Sequence, residues 1–327
     1  MTKTLKQQII EMAAPDLEKI EKALEDQLDP NTELVRKIAS HLLFSGGKRL
    51  RPLLMVHSAR ACGYCTGFEI RFSTIFEYLH AATLLHDDVV DEAQVRRGKK
   101  AAHLKWSAPE VVLTGDFLLA KSLEIAAETG EPEIISIIAE ITGDMSQGEI
   151  DQLSNKGKSD LSEDQYLEII KKKTAVLIRG ACRSGAVLAK AKNRKVHALS
   201  EYGFHLGMAF QMADDLLDYT ADAQTLGKNP GADLREGKLT LPLIYSLGRA
   251  SSEDRKWMCH VTQMENFDTE VFKKFKAKLY EYGGIEYTRQ KAEDHVKKAK
   301  LCLEQFAGTD SGQLLDMIAD YSIERKV

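Results

Sequence analysis

Apolar residues recur at three- and four-residue spacing along most of the chain. The first stripe runs through Leu34, Ile38 and Leu42. It follows residues 30–32, whose sequence Pro-Asn-Thr is a typical helix start. The same period predicts further helices over residues 72–90, 111–127, 134–153, 166–189, 196–219, 241–247, 271–282, 292–306 and 314–323. No segment alternates with period two for long enough to predict a sheet, so the pattern predicts an all-α protein.

Proline content and the absence of linkers indicate how these helices are organised. The chain has 7 prolines in 327 residues, and because proline breaks helix interiors, so few of them favour long uninterrupted helices. Clusters of Gly, Pro and Asp separate the stripes at residues 46–47, 130–132, 157–160 and 227–237. No Ser/Gly/Pro-rich linker divides the sequence, so we expect a single domain over residues 1–327.

Charge and cysteine content exclude several classes of protein. A net charge of −4 gives no overall basic field that would bind nucleic acid or an anionic membrane. Five cysteines form an odd, sparse set that suits reduced thiols. Cys62 and Cys65 have CxxC spacing, which we interpret as an interhelical loop, with a lone zinc or redox site as the alternative. The sequence shows neither a signal peptide nor a transmembrane segment, so the expected location is the cytoplasm.

Two acidic segments share the pattern Asp-Asp-apolar-apolar-Asp, at residues 87–91 and 214–218. On a helix, residues i and i+4 lie about 40° apart and about 6 Å along the axis, so Asp87 and Asp91 project from one face, as do Asp214 and Asp218. Like charges at that spacing repel each other, and both segments end apolar runs. Mg²⁺ resolves the repulsion, since it pairs carboxylates with substrate phosphate oxygens. The alternative is an acidic, solvated helix end, which two matching copies disfavour.

Basic residues stand close to both acidic segments. Residues 46–52 place a glycine turn before three basic side chains, and Arg96 and Arg97 follow the first acidic segment. Single lysines follow glycine or helix-end contexts at Lys173, Lys228 and Lys238. The arginine fork suits bidentate phosphate contacts, while lysine supplies a point charge. Any one of these residues alone is more often a surface side chain, but together with the aspartates they indicate a diphosphate site.

With these motifs the chain resembles the trans-isoprenyl (polyprenyl) diphosphate synthases from about residue 30 to its end. The matching stretches are GGKRLRP at 46–52, LLHDDVVDEAQVRRG at 84–98, GDFLLA at 115–120, KKT at 172–174, FQMADDLLDY at 210–219 and GKNPGADLREGKLTLPL at 227–243. The resemblance implies an isoprenoid-synthase bundle of antiparallel helices around a deep central cavity. It also implies assembly as a homodimer.

The resemblance assigns a role to each matching position. Three Mg²⁺ ions that bridge to the allylic diphosphate are expected on Asp87, Asp91 and Asp214. Support for them, directly or through water, is expected from Asp88, Asp215 and Asp218. The allylic diphosphate is expected to contact Arg96, Lys173, Lys228 and Lys238. The diphosphate of isopentenyl diphosphate is expected to bind Gly47, Lys48, Arg51, His80 and Arg97.

The implied chemistry is ionisation, condensation and elimination. Mg²⁺ and basic residues neutralise the leaving diphosphate, and the double bond of isopentenyl diphosphate attacks the allylic cation. The catalytic residues expected to steady that cation are Lys173, Thr174 and Gln211. The resemblance sends the released proton to the departing diphosphate, and no side chain is predicted as a general base. His86 is predicted to have a supporting or structural role.

Product length is predicted from the helix that ends at Asp87. Ala82 and Thr83 precede Asp87 by five and four residues, about 6–7.5 Å down the axis. Short-chain synthases usually carry an aromatic residue there, whereas here both side chains are small. We therefore expect the cavity to continue toward a floor formed by Phe76 or by Ile138, Ile141 and Met145. Simple helix packing is the alternative explanation for Ala82.

These features predict a long-chain, octaprenyl-like all-trans synthase that makes the side chain of a respiratory quinone. The alternative within the family is a synthase of C15–C20 products. A terpene cyclase also uses aspartate-rich metal sites, but it needs no isopentenyl diphosphate site. A non-catalytic partner subunit is the third alternative, which two intact acidic segments disfavour. An apolar product of this length implies transient contact with a membrane during release.

Overall fold

The computed structural model describes residues 3–30, 32–220, 231–264 and 266–324. The first half of the chain contains α1 (Leu5–Gln27), α2 (Glu33–Leu43), α3 (Leu50–Ala61), α4 (Phe68–Val90), α5 (Ala108–Ala127) and α6 (Pro132–Asn155). The middle contains α7 (Glu163–Ile170), α8 (Val176–Leu188) and α9 (Asn193–Thr220). The last part contains α10 (Ala232–Arg235), α11 (Leu241–Arg249), α12 (Ser252–Thr262), α13 (Thr269–Glu281), α14 (Gly284–Cys302) and α15 (Asp310–Ile323).

The chain forms two compact units. The first comprises Met1–Thr142, Leu177–Gly203 and Cys302–Ile318, and the second comprises Gly143–Val176, Phe204–Leu301 and Ala319–Val327. Several of these boundaries fall inside helices rather than in linkers. The single domain over residues 1–327 stays a prediction.

In the first unit, α4 packs along α5 and also contacts α1, α2 and α3. Its rings at Phe72 and Phe76 are fully buried and meet edge to face, with centroids 6.2 Å apart. Burial of each ring contributes on the order of 2–3 kcal/mol. A capping box between Ser107 and Glu110 starts α5, which satisfies backbone amides that the first helical turn leaves free. Helix α4 is thereby held on several sides, which fixes the acidic segment at its end.

In the second unit, a hydrophobic core surrounds the end of α9. Met212 and Tyr219 of α9 are fully buried there, together with Leu241 of α11 and Phe275 of α13. The rings of Tyr219 and Phe275 stack with centroids 6.4 Å apart. Between α7 and α8 the backbone forms a single π-helical turn, Lys171–Ala175. Such turns occur often at functional sites, because the extra residue redirects side chains within a helix.

The predicted all-α fold is confirmed, although α1, α3 and α12 lie outside the predicted helices and two local features differ from the prediction. The segment predicted as one helix over residues 166–189 is interrupted by the π turn. A short hairpin pairs β1 (Val95–Arg96) with β2 (Lys99–Lys100). Arg97 and Gly98 at its tip have φ values of 50° and 74°, the left-handed conformation that a tight hairpin turn requires. In the described ranges, no helix has the length and apolar character needed to cross a membrane.

Candidate active site

The first acidic segment lies at the carboxyl end of α4. Asp87 is in the last turn of the helix, and Asp91 caps it by donating its backbone N–H to the carbonyl of Asp87 at 2.8 Å. Both aspartates are partly exposed, whereas Asp88 between them is buried. Glu92 then adopts a φ of 51°, which turns the chain away from the helix axis. The two outward aspartates are thus presented one helical turn apart, as the sequence predicts.

Asp88 is paired with Arg96 of the hairpin. Arg96 Nε donates to Asp88 Oδ1 at 2.8 Å, and Asp88 is only 1% exposed. The other oxygen, Oδ2, is buried and has no hydrogen-bond partner within the described part of the chain. A buried carboxylate oxygen in that state is costly, so a metal-bound water or an ion would satisfy it. The structure pairs Arg96 with Asp88. The contact of Arg96 with diphosphate stays a prediction.

The second acidic segment lies near the end of α9. Asp214 is partly exposed, and the neighbouring Asp215 is 3% exposed. Asp215 accepts hydrogen bonds from the Tyr166 hydroxyl at 2.6 Å and from Gln211 Nε2 at 2.8 Å. Burial raises the pKa of Asp215 well above its ordinary value, and the negative charge of Asp233 raises it further. A nearby cation would reverse this preference and favour the ionised carboxylate.

Asp218 has a different environment from the one that its motif predicts. Its carboxylate accepts the backbone N–H groups of Ala232 at 3.1 Å and Asp233 at 3.0 Å. Its carbonyl accepts the N–H of Gly231 at 2.9 Å. Asp218 is 1% exposed, so its side chain fastens the start of α10 to α9. The supporting role toward metal that we predicted for Asp218 stays a prediction, and the structure assigns its oxygens to backbone amides.

The π turn carries Lys173 and Thr174 to the same side of the second unit as Gln211. Thr174 Oγ1 donates to Gln211 Oε1 at 2.8 Å, which continues the hydrogen-bond chain from Gln211 to Asp215. Lys173 forms an ion pair with Glu149 of α6. The three residues predicted to act on the reacting carbons are thus brought together, and the π turn is the element that places two of them.

A cavity of about 140 Å³ adjoins these residues in the second unit. Its lining includes the polar residues Tyr166, Lys173, Thr174, Gln211, Asp215, Asp233 and Lys238, beside apolar ones such as Ile169 and Leu239. Lys238 Nζ pairs with Glu236 Oε2 at 2.6 Å. Two predicted cations, Lys173 and Lys238, and one predicted carboxylate, Asp215, therefore line one cavity. Lys228, also predicted to bind the allylic diphosphate, lies outside the described residues.

The glycine turn before α3 lies against Arg97. Gly47 has a φ of 152°, and a Cβ there would stand 2.9 Å from Arg49 Nη1 and 3.3 Å from Arg97 Nη1. Arg97 donates to the carbonyl of Leu42 at 3.2 Å and to that of Gly46. Only glycine fits this position, because both the backbone conformation and the guanidinium groups exclude a side chain. Lys48 follows the turn and is exposed.

Arg49 is used inside the fold. It is 3% exposed, and its Nε donates to Glu21 Oε1 at 2.7 Å while Nη1 donates to Glu77 Oε1 at 2.8 Å. Nη2 donates to the carbonyl of Leu43 at 2.7 Å. Sequence reasoning missed both carboxylates. The available signal was Glu77 itself, a charged residue within an otherwise apolar helical run.

His80 faces the same arginines. Burial lowers its pKa well below the ordinary value, and the positive charges of Arg51 and Arg97 lower it further. The imidazole is therefore neutral at physiological pH and can donate or accept one hydrogen bond without adding charge. His86 lies elsewhere on α4, where Nε2 is 3.0 Å from the carbonyl of Val112. A side chain at Gly115 would collide with this ring at 2.3 Å, so His86 packs α4 against α5.

Ala82 and Thr83 lie one turn below Asp87 on α4. Ala82 is 5% exposed, and Thr83 is partly exposed and donates its hydroxyl to the carbonyl of His80 at 2.9 Å. Of the predicted floor residues, Phe76, Ile138 and Ile141 lie in the first unit and are fully buried or nearly so. The role of Ala82 and Thr83 in product length stays a prediction.

The acidic side chains determine which metal coordination is possible. Within the described ranges, no group of three or more His, Cys, Asp or Glu side chains is arranged to hold an ion. Mg²⁺ commonly takes one or two carboxylates and completes its shell with water and substrate phosphate. The outward Asp87 and Asp91 and the open oxygen of Asp88 fit that coordination. The residues present therefore suit a metal that arrives with a diphosphate.

Comparison with known proteins gives these motifs a context. Residues 32–279 match the family model described as polyprenyl synthetase. The chain belongs to the polyprenyl synthetase family. It is 34% identical over 319 residues to the octaprenyl diphosphate synthase of Escherichia coli (strain K12), covering 98% of both chains.

Solved structures of the polyprenyl synthetase family share the fold. A polyprenyl synthase from Caulobacter crescentus CB15, complexed with calcium and isoprenyl diphosphate, superposes with a TM-score of 0.92 at 36% identity. That match covers 100% of this chain and 99% of the other. A decaprenyl diphosphate synthase from Rhodobacter capsulatus gives a TM-score of 0.91 at 34% identity, with 98% of each chain covered. The predicted family and its all-α fold are thereby confirmed, whereas the roles of individual side chains stay predictions.

Proposed function

We propose that this protein is an all-trans polyprenyl diphosphate synthase that adds isopentenyl diphosphate units to an allylic diphosphate primer of the farnesyl type. The observation that carries the proposal is the cavity of the second unit. There Lys173 and Lys238 adjoin the hydrogen-bond chain from Thr174 through Gln211 to Asp215. Such a lining can bind a diphosphate by its cations and face an allylic cation with amide and hydroxyl oxygens.

Mg²⁺ is the proposed cofactor. The family resemblance implies three ions, which Asp87, Asp91 and Asp214 would hold. Bound Mg²⁺ neutralises charge on the leaving diphosphate. Asp88 and Asp215 would have supporting roles next to these ligands. Asp88 would offer its oxygen Oδ2, and Asp215 is held in place by its hydrogen bonds with Gln211 and Tyr166.

The chain's own residues act by binding and orienting. In the second unit, Lys173 and Lys238 would hold the allylic diphosphate while its carbon–oxygen bond breaks. The Gln211 carboxamide oxygen and the Thr174 hydroxyl would stabilise the resulting cation. In the first unit, Lys48, Arg51 and Arg97 would bind the diphosphate of isopentenyl diphosphate. A carbon–carbon bond then forms, and the proton lost from isopentenyl diphosphate passes to the departing diphosphate.

The product is proposed to be long. Ala82 has a methyl group where the resemblance implies an aromatic ring in short-chain synthases, and the compared relatives include octaprenyl and decaprenyl diphosphate synthases. A side chain for a respiratory quinone is the proposed use of such a product. Transient membrane contact during release and a cytoplasmic location stay predictions from the sequence.

The testing experiment uses purified protein, Mg²⁺, farnesyl diphosphate and labelled isopentenyl diphosphate, with chain length read by chromatography after phosphatase treatment. We expect a long all-trans product and no turnover in the presence of a chelator. Products of C15–C20 would favour the short-chain alternative. A terpene cyclase would leave the label unincorporated and release a hydrocarbon. No turnover by the lone protein would favour a subunit that requires a partner.

Homodimer formation is part of the proposal, and the outer face of α5 supports it. Leu113 is 64% exposed and Leu123 is 41% exposed, with exposed Ala120 between them. These residues lie opposite Val111 and Leu118, which α5 buries. Exposed Asp116 and Glu124 share this face with them. Exposed leucines are typical of a subunit interface.

A further inference from the structure

Glu77 is a buried carboxylate of α4. Its side chain is 4% exposed, and Oε1 accepts from Arg49 Nη1 at 2.8 Å and lies 3.8 Å from Arg97 Nη2. An ionised carboxylate at this depth is stable only when it is paired, because desolvation strongly penalises an isolated charge. Glu77 and the two guanidinium groups therefore form one ion-pair cluster, in which Glu77 and Arg49 are buried and Arg97 is partly exposed.

The two arginines that pair with Glu77 lie beside the same glycine, Gly47. A side chain at Gly47 would meet Arg49 Nη1 at 2.9 Å and Arg97 Nη1 at 3.3 Å. Arg49 is held on its other side by Glu21. Arg97 reaches back from the tip of the hairpin to the carbonyls of Leu42 and Gly46. Glu77 is the carboxylate that joins the hairpin arginine to the arginine of the glycine turn.

The helix geometry extends this pairing to the next arginine. Asp88 lies about three turns beyond Glu77 on the same face of α4. Arg96, the chain neighbour of Arg97, is bound to Asp88. Two carboxylates on one helix face therefore hold two successive arginines of the hairpin, and that spacing fixes how far Arg97 lies from the acidic segment.

We propose that Glu77 is a positioning residue for isopentenyl diphosphate, because it fixes Arg97 beside the Gly47 turn. The inference rests on the proposed function and deepens it. Arg49, Arg96 and Arg97 repel one another, and without the charge of Glu77 the bonds of Arg97 to the carbonyls of Leu42 and Gly46 would have to hold it against that repulsion. Holding it in place before the substrate arrives removes the cost of ordering a long side chain during binding. Glu77 itself would not touch the substrate.

Glu77→Gln tests this proposal, because the amide keeps the shape and removes the charge. In steady-state assays we expect the KM for isopentenyl diphosphate to rise about tenfold. The KM for farnesyl diphosphate should change less than about twofold, and kcat less than about threefold, since neither depends on Arg97. Glu21→Gln is the matched control: it also removes a carboxylate from Arg49, but Glu21 has no direct pairing with Arg97, so both KM values should stay near the wild-type ones.

The Arg97→Gln variant distinguishes an effect of Glu77 on the position of Arg97 from a general loss of stability. In an Arg97→Gln protein, adding Glu77→Gln should raise the KM for isopentenyl diphosphate by less than about twofold, because the residue that Glu77 holds is already gone. If Glu77→Gln does not fold, Glu77→Asp keeps the charge but withdraws it from Arg97, and it should raise the same KM several-fold. An unchanged KM in the variant that folds, an equal rise in both KM values, or full additivity with Arg97→Gln would overturn the proposal. Absence of any turnover by the wild-type protein would instead overturn the proposed function.

Discussion

Asp214 and Asp218 have the same side chain in the same motif, but they differ in burial. Asp214 is partly exposed, whereas both oxygens of Asp218 accept backbone amides of residues 232 and 233. Substitution by asparagine should separate the two roles. Asp214→Asn should lower kcat by about a hundredfold or more, since it removes a metal-binding charge. Asp218→Asn should cost about 1–2 kcal/mol of unfolding free energy, because its amide nitrogen would face a backbone N–H.

Thermal unfolding with and without Mg²⁺ and inorganic diphosphate measures both effects. The wild-type protein and Asp218→Asn should gain stability from the ligands, with Asp218→Asn starting lower. Asp214→Asn should start near the wild-type value and gain little. Equal ligand-induced gains for the two variants would contradict this division of roles.

His295 carries a separate prediction about pH. Burial, together with the positive charge of the nearby His205, lowers the pKa of His295 from 6.5 to about 4. The Nδ1 atoms of the two histidines lie 2.9 Å apart. Below pH 6.5 His295 is protonated in the unfolded chain, whereas in the folded protein it stays neutral until the pH reaches about 4. Stability supplied by neutral His295 is thus complete above pH 6.5 and is lost as the pH falls toward 4.

Because His295 is partly exposed, we expect its contribution to the free energy of unfolding to fall by about 2 kcal/mol between pH 7 and pH 4. Urea unfolding of the wild-type protein and of His295→Gln at several pH values between 7 and 4 measures it. The difference in unfolding free energy between the two proteins should shrink steadily on acidification. A constant difference across that range would mean that His295 does not titrate between the two states.

Some residue positions follow from the sequence, whereas their partners in the structure do not. Spacing placed Asp87 and Asp91 on one helix face, because helical geometry follows from sequence alone. The capping role of Asp218 depends on α10 returning to α9, and the pairing of Arg96 with Asp88 depends on a hairpin turn. Both are contacts between segments that no periodicity relates. Sequence therefore predicts which side chains carry charge and leaves their partners open.

Helix α6 packs against the π turn at Gly148. A Cβ at Gly148 would stand 2.7 Å from the backbone nitrogen of Lys173 and 2.9 Å from Lys172 Cβ. Gly148→Ala should therefore displace the π turn and lower kcat/KM for farnesyl diphosphate about tenfold. Gly143→Ala on the same helix is the control, since no atom lies within 4 Å of its added Cβ. That substitution should keep activity and raise stability by up to about 1 kcal/mol.

Steady-state kinetics and thermal unfolding of both alanine variants measure the contrast. If Gly148→Ala retained full activity, the position of Lys173 and Thr174 would not depend on this helix contact. Loss of activity in Gly143→Ala would point to a general intolerance of α6 toward substitution.

Element prediction succeeded where one face is buried and failed where burial is uniform or local. Helix α3 buries residues around its whole circumference from Pro52 to Ala59, so it carries no periodic stripe. Helix α1 contains Pro15 and is largely polar. The hairpin spans too few residues for a period of two to be recognised. The extra residue of the π turn shifts the helical phase only once, which a long apolar stripe conceals.

The depth of the prenyl site is an element-scale prediction on α4. Replacing Ala82 in turn by Leu, Phe and Tyr should shorten the product progressively, because each larger side chain closes more of the path below Asp87. Product length after phosphatase treatment is the measurement. A variant that merely folds poorly would make less product of unchanged length. Wild-type product lengths throughout the series would assign Ala82 to helix packing alone.

At the scale of the whole molecule, the division into two units is the feature that sequence did not predict. Residues 177–203 and 302–318 return to the first unit after the chain has entered the second. Because those crossings fall inside helices, no composition shift or flexible linker marks them. Motif order along the chain likewise does not tell which motifs share a unit. Family membership, by contrast, is a property of the whole sequence, and six ordered motifs were enough to predict it.

The oligomeric state is a prediction about the whole molecule, and two exposed leucines can test it. Leu113 on the outer face of α5 is 64% exposed, and Leu301 at the end of α14 is 63% exposed. A buried glutamate would be strongly penalised at a subunit interface and tolerated in solvent. Leu113→Glu should therefore shift the protein from dimer to monomer in light scattering, while Leu301→Glu should leave it dimeric. A wild-type monomer at all concentrations would refute the dimer, and a dimeric Leu113→Glu protein would place the interface elsewhere. Because one substitution is matched to the other in residue type and exposure, a difference between them would locate the interface on α5.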